Sequence, residues 1–281
     1  MNFIKKSYKL HSDKIKAGME LSMVLISDLH LAEYGSDNVR LLEEIRKVHP
    51  DLIVSSGDLV TAKVEYDTKP AEHLLGRLAK EYPVYYVPGN HEERLKVKTE
   101  WFGNLYESYI SRIKMAGVHY LYNQHEVFEL HGVKLCIHGL ALPLKYFQRM
   151  KRIELSLDEV NAYIGCPQKD CLNILLAHHP RYARTYFDWN ADLILSGHVH
   201  GGVMRLGKQA CISPDLSIFP RYGYGIFKKK KQSMIVSAGL GEHTIPFRVF
   251  NPKELVHIKI QAITNNGNGE KHGNTGKTAG V

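Results

Sequence analysis

The sequence has few cysteines and no long apolar run, and each shortage excludes a class of protein. Four cysteines among 281 residues are too few for a disulfide scaffold, so reduced thiols in a cytoplasm are the simpler interpretation. No stretch reaches the roughly 18 apolar residues of a transmembrane helix. Lys5 and Lys6 are not followed by the apolar segment of a secretory signal or twin-arginine leader. We expect a cytoplasmic protein, with peripheral association at the inner face of the membrane as an alternative.

Acidic residues are outnumbered by basic ones, 29 against 37, which gives a net charge of +8. This balance favours an anionic partner: a phosphorylated small molecule, a lipid headgroup or membrane surface, or nucleic acid. Residues 228–231 are all lysine and form either a solvated hairpin turn or a contact with anionic lipid or polyphosphate. No nucleic-acid module or P-loop is recognisable, so nucleic acid has no motif to support it. The oligomeric state stays open.

The chain is long enough for one large or two small domains, and 44% hydrophobic residues can fill a sizeable core. Residues 265–281 are almost entirely Asn, Gly, Lys and Thr with little apolar content. Such a segment cannot bury enough surface to fold. We therefore predict one domain over residues 1–264, followed by a disordered C-terminal tail over 265–281.

In the first half, apolar runs typical of strands alternate with helical patterns. The predicted strands are 8–10 (an edge strand), 21–26, 52–54 and 84–87, and the predicted helices are 39–48 with Ser36 as cap, 70–80 and 99–115. Alternation of this kind indicates an α/β fold with a parallel sheet covered by helices on both faces.

The second half changes character. The segments 126–130 and 133–137, joined at His131-Gly132, predict a hairpin, and 145–165 predicts one or two helices. Buried strands follow at 172–176 and 193–195. From 203 onward the pattern is of short strands, at 203–206, 222–227, 233–236 and 255–262. These predict a second, mostly antiparallel sheet.

Five predicted strand ends carry side chains of the metal-binding type. They are Asp28 with His30, Asp58, Asn90 with His91, His178 with His179, and His198 with His200. Functional groups of open α/β sheets gather beyond the carboxyl ends of the strands. Each pair alone is ordinary, as a helix cap, a turn or surface polarity. Five together indicate a metal site.

The two histidines between glycines suggest more than one ion. If the turn keeps Val199 extended, His198 and His200 point to opposite sides and suit two neighbouring metals. Carboxylate oxygens and imidazole nitrogens together favour Mn, Fe, Zn or Co rather than Ca. Two such ions, about 3.5–4 Å apart with a bridging carboxylate, activate water near neutral pH and clamp a tetrahedral phosphorus centre.

These motifs, in this order across residues 21–202, resemble the calcineurin-like metallophosphoesterases. The matching segments are Asp28-Leu29-His30, Gly57-Asp58, Gly89-Asn90-His91-Glu92, His178 and Gly197-His198-Val199-His200. The resemblance implies a four-layer αββα sandwich with two mixed β-sheets flanked by helices. It also implies two divalent ions, with manganese favoured. One ion would be held by Asp28, His30, Asp58 and His200, and the other by Asp58, Asn90, His178 and His198, with Asp58 bridging. His91 corresponds to the family's non-ligand histidine, which protonates the leaving group or stabilises the transition state.

The sequence departs from the family pattern at two positions. Glu92 stands where the family usually has Asp, and its extra methylene is expected to alter the orientation of His91 more than metal binding. The family has one histidine at the fourth strand end, which favours His178 over His179, and His179 would then approach substrate or face solvent. Residues 237–241 and 245–248 resemble a bacterial subgroup whose members often carry a membrane segment or export signal.

The sequence thus predicts a dinuclear metal-dependent phosphoesterase, either a phosphatase or a phosphodiesterase. A nuclease using the same site is the main alternative among enzymes. A non-catalytic interaction scaffold is the alternative from another class. Degenerate scaffolds of this kind lose ligands or the non-ligand histidine, whereas this chain keeps every expected ligand and His91.

Overall fold

The computed structural model describes residues 2–148, 153–207, 209–213, 218–242 and 248–263. The strands are β1 (Ile4–Ser12), β2 (Glu20–Ile26), β3 (Leu52–Ser55), β4 (Val84–Tyr86), β5 (Val118–Tyr120), β6 (Gln124–Leu130), β7 (Val133–Leu140), β8 (Leu172–Ala177), β9 (Leu193–Ser196), β10 (Met204–Leu206), β11 (Gln209–Ile212), β12 (Gly225–Lys229), β13 (Gln232–Val236) and β14 (Glu254–Ala262). The helices are α1 (Val39–Arg46), α2 (Lys69–Ala79), α3 (Asn90–Val97), α4 (Thr99–Phe102), α5 (Leu105–Met115), α6 (Leu157–Ile164) and α7 (Ala183–Asp188). The tail predicted over 265–281 lies outside the described residues. In the described ranges no helix is both long and apolar enough to cross a membrane.

The first sheet has the strand order β1-β14-β2-β3-β4-β5. Strands β2 to β5 run parallel, as the alternation of strands and helices predicts. The last strand, β14, enters this sheet antiparallel to β2, and β1 pairs parallel to β14 at the edge. The edge strand predicted at 8–10 is confirmed and is longer than its apolar residues indicate.

The second sheet has the order β12-β13-β9-β8-β7-β6 and is mixed. Its four central strands are parallel, and β12 and β6 are antiparallel to their neighbours. The hairpin at His131-Gly132 is confirmed, and both residues adopt the positive φ of a tight two-residue turn. The prediction that all strands after 203 form one mostly antiparallel sheet is wrong. They are divided among both large sheets and a small β10-β11 pair, because residue alternation identifies a strand without identifying its partner.

The two large sheets pack face to face, and a helical layer covers the outer face of each. The inter-sheet core includes Leu25, Val54, Leu176 and Leu195, all fully buried. Helices α1, α2 and α5 cover the first sheet, and α6 and α7 cover the second. The αββα sandwich is therefore confirmed. The expectation of helices on both faces of the parallel sheet is wrong, because its second face is buried against the other sheet.

Two helix predictions are also wrong in detail. Helix α1 begins at Val39 with Asn38 as its N-cap in the left-handed region, while Ser36 lies in a preceding 3₁₀ turn and makes no capping bond. The single helix predicted over 99–115 is two helices, broken at Gly103 with a φ of 55°. The charged helix α3 was not predicted, because its polar sequence has little amphipathic pattern. In the 145–165 segment the described residues form a 3₁₀ turn and α6.

Candidate metal centre

All the predicted ligand residues lie at one edge of the sandwich, where parallel strands of both sheets end. Asp28 and His30 follow β2, Asp58 follows β3, and Asn90 and His91 begin α3 after β4. From the second sheet, His178 follows β8, and His198 and His200 follow β9. Carboxyl ends of parallel strands share an edge, so the topology itself brings these loops together.

The carboxylates and imidazoles form three overlapping groups, in each of which the ligand atoms lie within 4.8 Å of one another. The groups are Asp28–His30–His200, Asp58–His178–His198 and His30–Asp58–His91. Asp28 Oδ1 is 3.4 Å from His200 Nε2, and Asp58 Oδ2 is 3.1 Å from His178 Nε2. The two groups also approach each other, since His178 Nε2 lies 3.8 Å from Asp28 Oδ1. His198 and His200 therefore fall into different groups.

The turn that carries these two histidines is tighter than an extended strand end. His198 has a φ of 69° and His200 a φ of 50°. The Val199 N–H donates to the Gly197 carbonyl (2.8 Å), and the Gly202 N–H donates to the Val199 carbonyl (2.7 Å). The backbone that carries the His198 and His200 rings therefore forms two successive hydrogen-bonded turns that meet at Val199, and it is not an extended strand end.

Left-handed backbone is concentrated at this edge. Besides the two histidines of the turn, Asp28, His30 and Asp58 have φ values of 49°, 47° and 54°. Each such non-glycine residue costs on the order of 1–3 kcal/mol and persists only when its surroundings enforce it. Strain of this kind is typical of functional sites.

Close packing of glycine and small polar residues holds Asp28. A Cβ at Gly197 would overlap the Asp28 carboxylate and the Ser27 hydroxyl, so only glycine allows this approach. The carboxylate accepts hydrogen bonds from the Ser27 hydroxyl and from the His198 main-chain N–H (2.9 Å). Ser56 donates to the Ser27 oxygen at 2.9 Å and thereby connects the β3 loop to the β2 loop.

Glu92 is fully buried and fixes the loop that carries Asp58. Its carboxylate accepts main-chain N–H groups from four residues and one hydroxyl: Asp58 (3.0 Å), Leu59 (2.8 Å), Val60 (3.2 Å), Gly89 (2.8 Å) and Tyr86 (2.5 Å). None of these five bonds is to the His91 ring. That the extra methylene of Glu92 alters the orientation of His91 more than metal binding stays a prediction.

His91 is oriented by two other hydrogen bonds. Its Nδ1 accepts the Ala62 N–H (2.8 Å), and its main-chain N–H donates to Asp58 Oδ1 (2.8 Å). Burial lowers the pKa of His91, which favours the neutral ring. A neutral ring that accepts at Nδ1 carries its proton on Nε2. His91 is therefore a hydrogen-bond donor beside His30 and Asp58.

Charge interactions inside the cluster are strong because the groups are buried. Burial acts to lower the pKa of His178, but the carboxylates of Asp58 and Asp28 raise it to about 9. Burial acts to raise the pKa of Asp58, and the histidines around it, His178 first, hold it well below the usual range. In the metal-free protein a cationic His178 imidazole thus balances the Asp58 carboxylate.

The residues present fit divalent metal ions. Carboxylate and imidazole donors converge, which is a donor set that suits Mn, Fe, Zn or Co. Among the described residues, the buried Asn90 Oδ1 has no hydrogen-bond partner. A buried polar atom without a partner is costly, and a coordinated cation would satisfy it.

The structure distinguishes His178 from His179. The His178 Nδ1 donates to the Ser56 carbonyl (2.8 Å), which turns Nε2 toward the carboxylates. His179 is only 2% exposed. Its ring stacks on Phe147 at 5.3 Å and lies 4.1 Å from the ring of His198. The alternative that His179 faces solvent is wrong. Its side chain packs against the rings of Phe147 and His198.

The four lysines at 228–231 lie away from the metal centre. Lys228 and Lys229 end β12, and Lys230 and Lys231 form the turn to β13. Strand β13 runs parallel to β9, with its first residues at the opposite end from His198. Lys229 pairs with Asp188 (2.5 Å) and Lys231 with Asp13 (2.6 Å). These contacts favour the solvated turn.

The sandwich brings candidate metal ligands together from the strand ends of two facing sheets. A family model described as calcineurin-like phosphoesterase matches residues 21–202. The chain belongs to this family, as its motifs predict.

Individual relatives agree with this assignment. The chain is 28% identical over 259 residues to an uncharacterized metallophosphoesterase of Helicobacter pylori J99, covering 91% of this chain and 63% of that one. It is 27% identical over 264 residues to an uncharacterized metallophosphoesterase of Aquifex aeolicus, covering 91% of each. The chain therefore spans less than two thirds of the Helicobacter protein and most of the Aquifex protein. The NAD nucleotidase of Haemophilus influenzae has the same fold, with a TM-score of 0.50 and 16% identity over 81% of this chain and 46% of that one.

The structure describes only part of the sequence that carries the subgroup resemblance. Of its two segments, 237–241 is described, whereas 245–247 lies outside the described residues. Cellular location, with the cytoplasm expected, stays a prediction.

Proposed function

We propose that this protein hydrolyses phosphate esters with two divalent metal ions. Seven side chains would hold them. Asp28, His30, Asp58 and His200 would bind one ion, and Asp58, Asn90, His178 and His198 the other, with Asp58 shared. The observation that carries the proposal is the convergence of carboxylates and imidazoles from four strand ends, with His91 from a fifth, onto one cluster. Manganese is the ion we expect to support activity best.

When bound, two such ions supply a water activated near neutral pH and neutralise charge at phosphorus. The protein contributes position and a hydrogen-bond donor. The His91 Nε2–H would donate a hydrogen bond to the leaving oxygen and stabilise the charge that develops there as the ester bond breaks, and the leaving oxygen would take its proton from water. The bond from the Ala62 N–H to Nδ1 keeps the ring proton on the correct nitrogen. Burial keeps the ring neutral and desolvated, so its N–H is an effective donor.

A direct test is hydrolysis of generic aryl phosphate monoesters and diesters by purified protein with Mn, Zn, Fe, Co and Mg in parallel. Asp58→Asn removes the charge of the carboxylate that both ions would share. We expect the rate of hydrolysis to fall about 100-fold or more, a loss as large as that on removal of a general acid. His73→Ala, at a histidine whose side chain is 66% exposed, is the matched control and should keep the wild-type rate. Near-normal activity of Asp58→Asn would contradict the proposal.

The same panel separates the enzymatic alternatives. A phosphatase hydrolyses the monoester preferentially, and a phosphodiesterase or nuclease the diester. A non-catalytic scaffold predicts no metal-dependent rate with any ester.

A further inference from the structure

Two cationic side chains lie beside His91, and neither pairs with a carboxylate. Arg94 belongs to α3, which begins at Asn90, and its side chain is half-buried. Lys63 is exposed and directly follows Ala62, whose N–H donates to His91 Nδ1 (2.8 Å). Among the residues that the structure describes, no carboxylate oxygen lies within 4.0 Å of a side-chain nitrogen of either cation.

The geometry of α3 directs Arg94 toward the metal centre. At about 3.6 residues per turn, Arg94 falls between Asn90 and His91 when the helix is viewed along its axis. Helical side chains also tilt toward the helix N-terminus, which in α3 carries these two residues. Burial lowers the pKa of His91, and the Asp58 carboxylate opposes that shift. The positive charges of Arg94 and Lys63 lower it further, so both cations are close enough to act on the His91 ring.

The acidic residues next to Arg94 in the sequence face other donors. The Glu92 carboxylate accepts its hydrogen bonds from the Asp58 loop, Gly89 and Tyr86. Glu93 is buried and accepts the Tyr122 hydroxyl (3.0 Å). A half-buried guanidinium has lost part of its hydration, and in the described part of the chain no carboxylate replaces that water. An anion from outside the chain would do so.

The position beside His91 determines which part of a substrate would reach the two cations. In the proposed hydrolysis, water adds to phosphorus, the P–O bond to the leaving group breaks, and the leaving oxygen takes its proton from water. The His91 Nε2–H donates to that oxygen, so the rest of the leaving group extends past His91 toward Arg94. A guanidinium matches a phosphate or carboxylate through two parallel hydrogen bonds, and a lysine adds a point charge.

We propose that Arg94, assisted by Lys63, binds an anionic substituent on the leaving group of the substrate. The preferred substrates are then phosphoesters whose leaving group carries a second phosphate or a carboxylate. This assignment rests on the proposed function, because His91 identifies the leaving-group side of the site. It makes Arg94 and Lys63 specificity-determining residues that touch substrate and bind no metal ion.

The test compares aryl phosphates that differ only in the group para to the ester oxygen. para-Carbamoylphenyl phosphate has a neutral leaving group, whereas para-carboxyphenyl phosphate and para-phosphonophenyl phosphate have anionic ones. With Mn²⁺, the wild type should show a kcat/KM about tenfold higher for an anionic ester than for the carbamoyl ester, as expected for a hydrogen bond to a charged group. Whichever anionic ester is hydrolysed faster distinguishes a carboxylate from a second phosphate as the natural substituent.

Variants assign this preference to the cations. Arg94→Gln should lower the ratio of kcat/KM for the anionic ester to that for the carbamoyl ester about tenfold, and losses common to both esters cancel in the ratio. Arg94→Lys keeps the charge and should retain part of the preference, while Lys63→Gln should lower the ratio less than Arg94→Gln does. Arg46→Gln is the matched control, because Arg46 is also partly exposed but pairs with Glu81 (2.5 Å) at the end of α1 that leads into β3. Its ratio should equal that of the wild type.

An unchanged ratio in Arg94→Gln would overturn the proposal, as would equal kcat/KM of the wild type for all the esters. Absence of metal-dependent hydrolysis of every ester would instead contradict the proposed function. Calorimetric titration of each ester into the Mn²⁺-saturated chain then replaces the rates. Tighter binding of an anionic ester by the wild type, lost in Arg94→Gln, would support the anion site alone, and equal binding of all the esters would overturn it too.

Discussion

At the residue scale, Asp58 connects the two proposed metal positions. Its carboxylate lies 3.1 Å from His178 and 3.9 Å from His30, and it accepts the His91 main-chain N–H. The histidines around it keep it ionised despite full burial. Asp58 therefore contacts proposed ligands of both ions and the main chain of His91, the proposed hydrogen-bond donor.

His91 gives a prediction that separates stabilisation of the leaving oxygen from metal binding. His91→Ala should lower kcat about 100-fold, the lower end of the loss expected for one hydrogen-bond donor to a developing oxyanion, because the Nε2–H is lost. Bound metal per chain, measured by elemental analysis, should remain at the wild-type value. Loss of metal together with activity would instead identify His91 as a ligand.

His178 predicts a pH dependence of metal binding. Its pKa of about 9 lies above the ordinary 6.5, so in the metal-free protein the ring is protonated at neutral pH. A metal ion must displace that proton, and affinity should rise roughly tenfold per pH unit up to pH 9. The raised pKa also stabilises the metal-free fold below pH 6.5, a contribution lost as the pH rises through 9.

Calorimetry of Mn²⁺ binding in buffers of different ionisation enthalpy measures this proton directly. The observed heat should change with the buffer in proportion to proton release. A heat independent of the buffer at pH 7.5 would contradict the assignment.

At the element scale, the loops that follow the strands carry the candidate ligands, and Glu92 fixes the Asp58 loop through hydrogen bonds. Glu92→Gln replaces one acceptor oxygen by an NH₂ group that faces N–H donors. We expect a loss of about 1–3 kcal/mol in the free energy of unfolding, as for a buried group left without its partner. Urea denaturation measures it.

Glu93→Gln is the matched control, since Glu93 is also buried but accepts one hydroxyl, from Tyr122. Its loss should be clearly smaller. Equal losses for the two variants would contradict the anchoring role of Glu92.

Individual elements show what the sequence could and could not predict. Turn residues and apolar runs located most strands, and the motifs predicted which side chains converge, because strand ends of one sheet share an edge. The pairing of strands that are distant in the sequence could not be predicted. For example, β14, at the far end of the chain, enters the first sheet between β1 and β2. Three of the five Glu92 contacts were equally hidden, because they join residues separated by more than 30 positions. Those three bonds can be seen only once β3 and α3 are adjacent.

At the scale of the whole molecule, the inter-sheet core keeps two half-sites together. Asp28, Asp58 and Asn90 come from the first sheet, and His178, His198 and His200 from the second. Any shift of one sheet against the other would separate them. The dense apolar layer between the sheets therefore supports function as well as stability.

Leu176→Ala tests that layer, since Leu176 is fully buried between the sheets. The cavity should lower the free energy of unfolding by about 2–5 kcal/mol. Met115→Ala, at a side chain 85% exposed, should change it by no more than about 0.5 kcal/mol. Chemical denaturation of both variants provides the comparison, and a neutral Leu176→Ala would contradict the packing described.

A metal pair shared by both sheets requires two ions per chain, and metal stoichiometry measures this number. Elemental analysis of the protein after saturation with Mn²⁺ and removal of free ion should give two ions per chain. Asp58→Asn, which weakens the bridge, should give fewer. Saturation of the wild type at no more than one ion per chain would contradict the account.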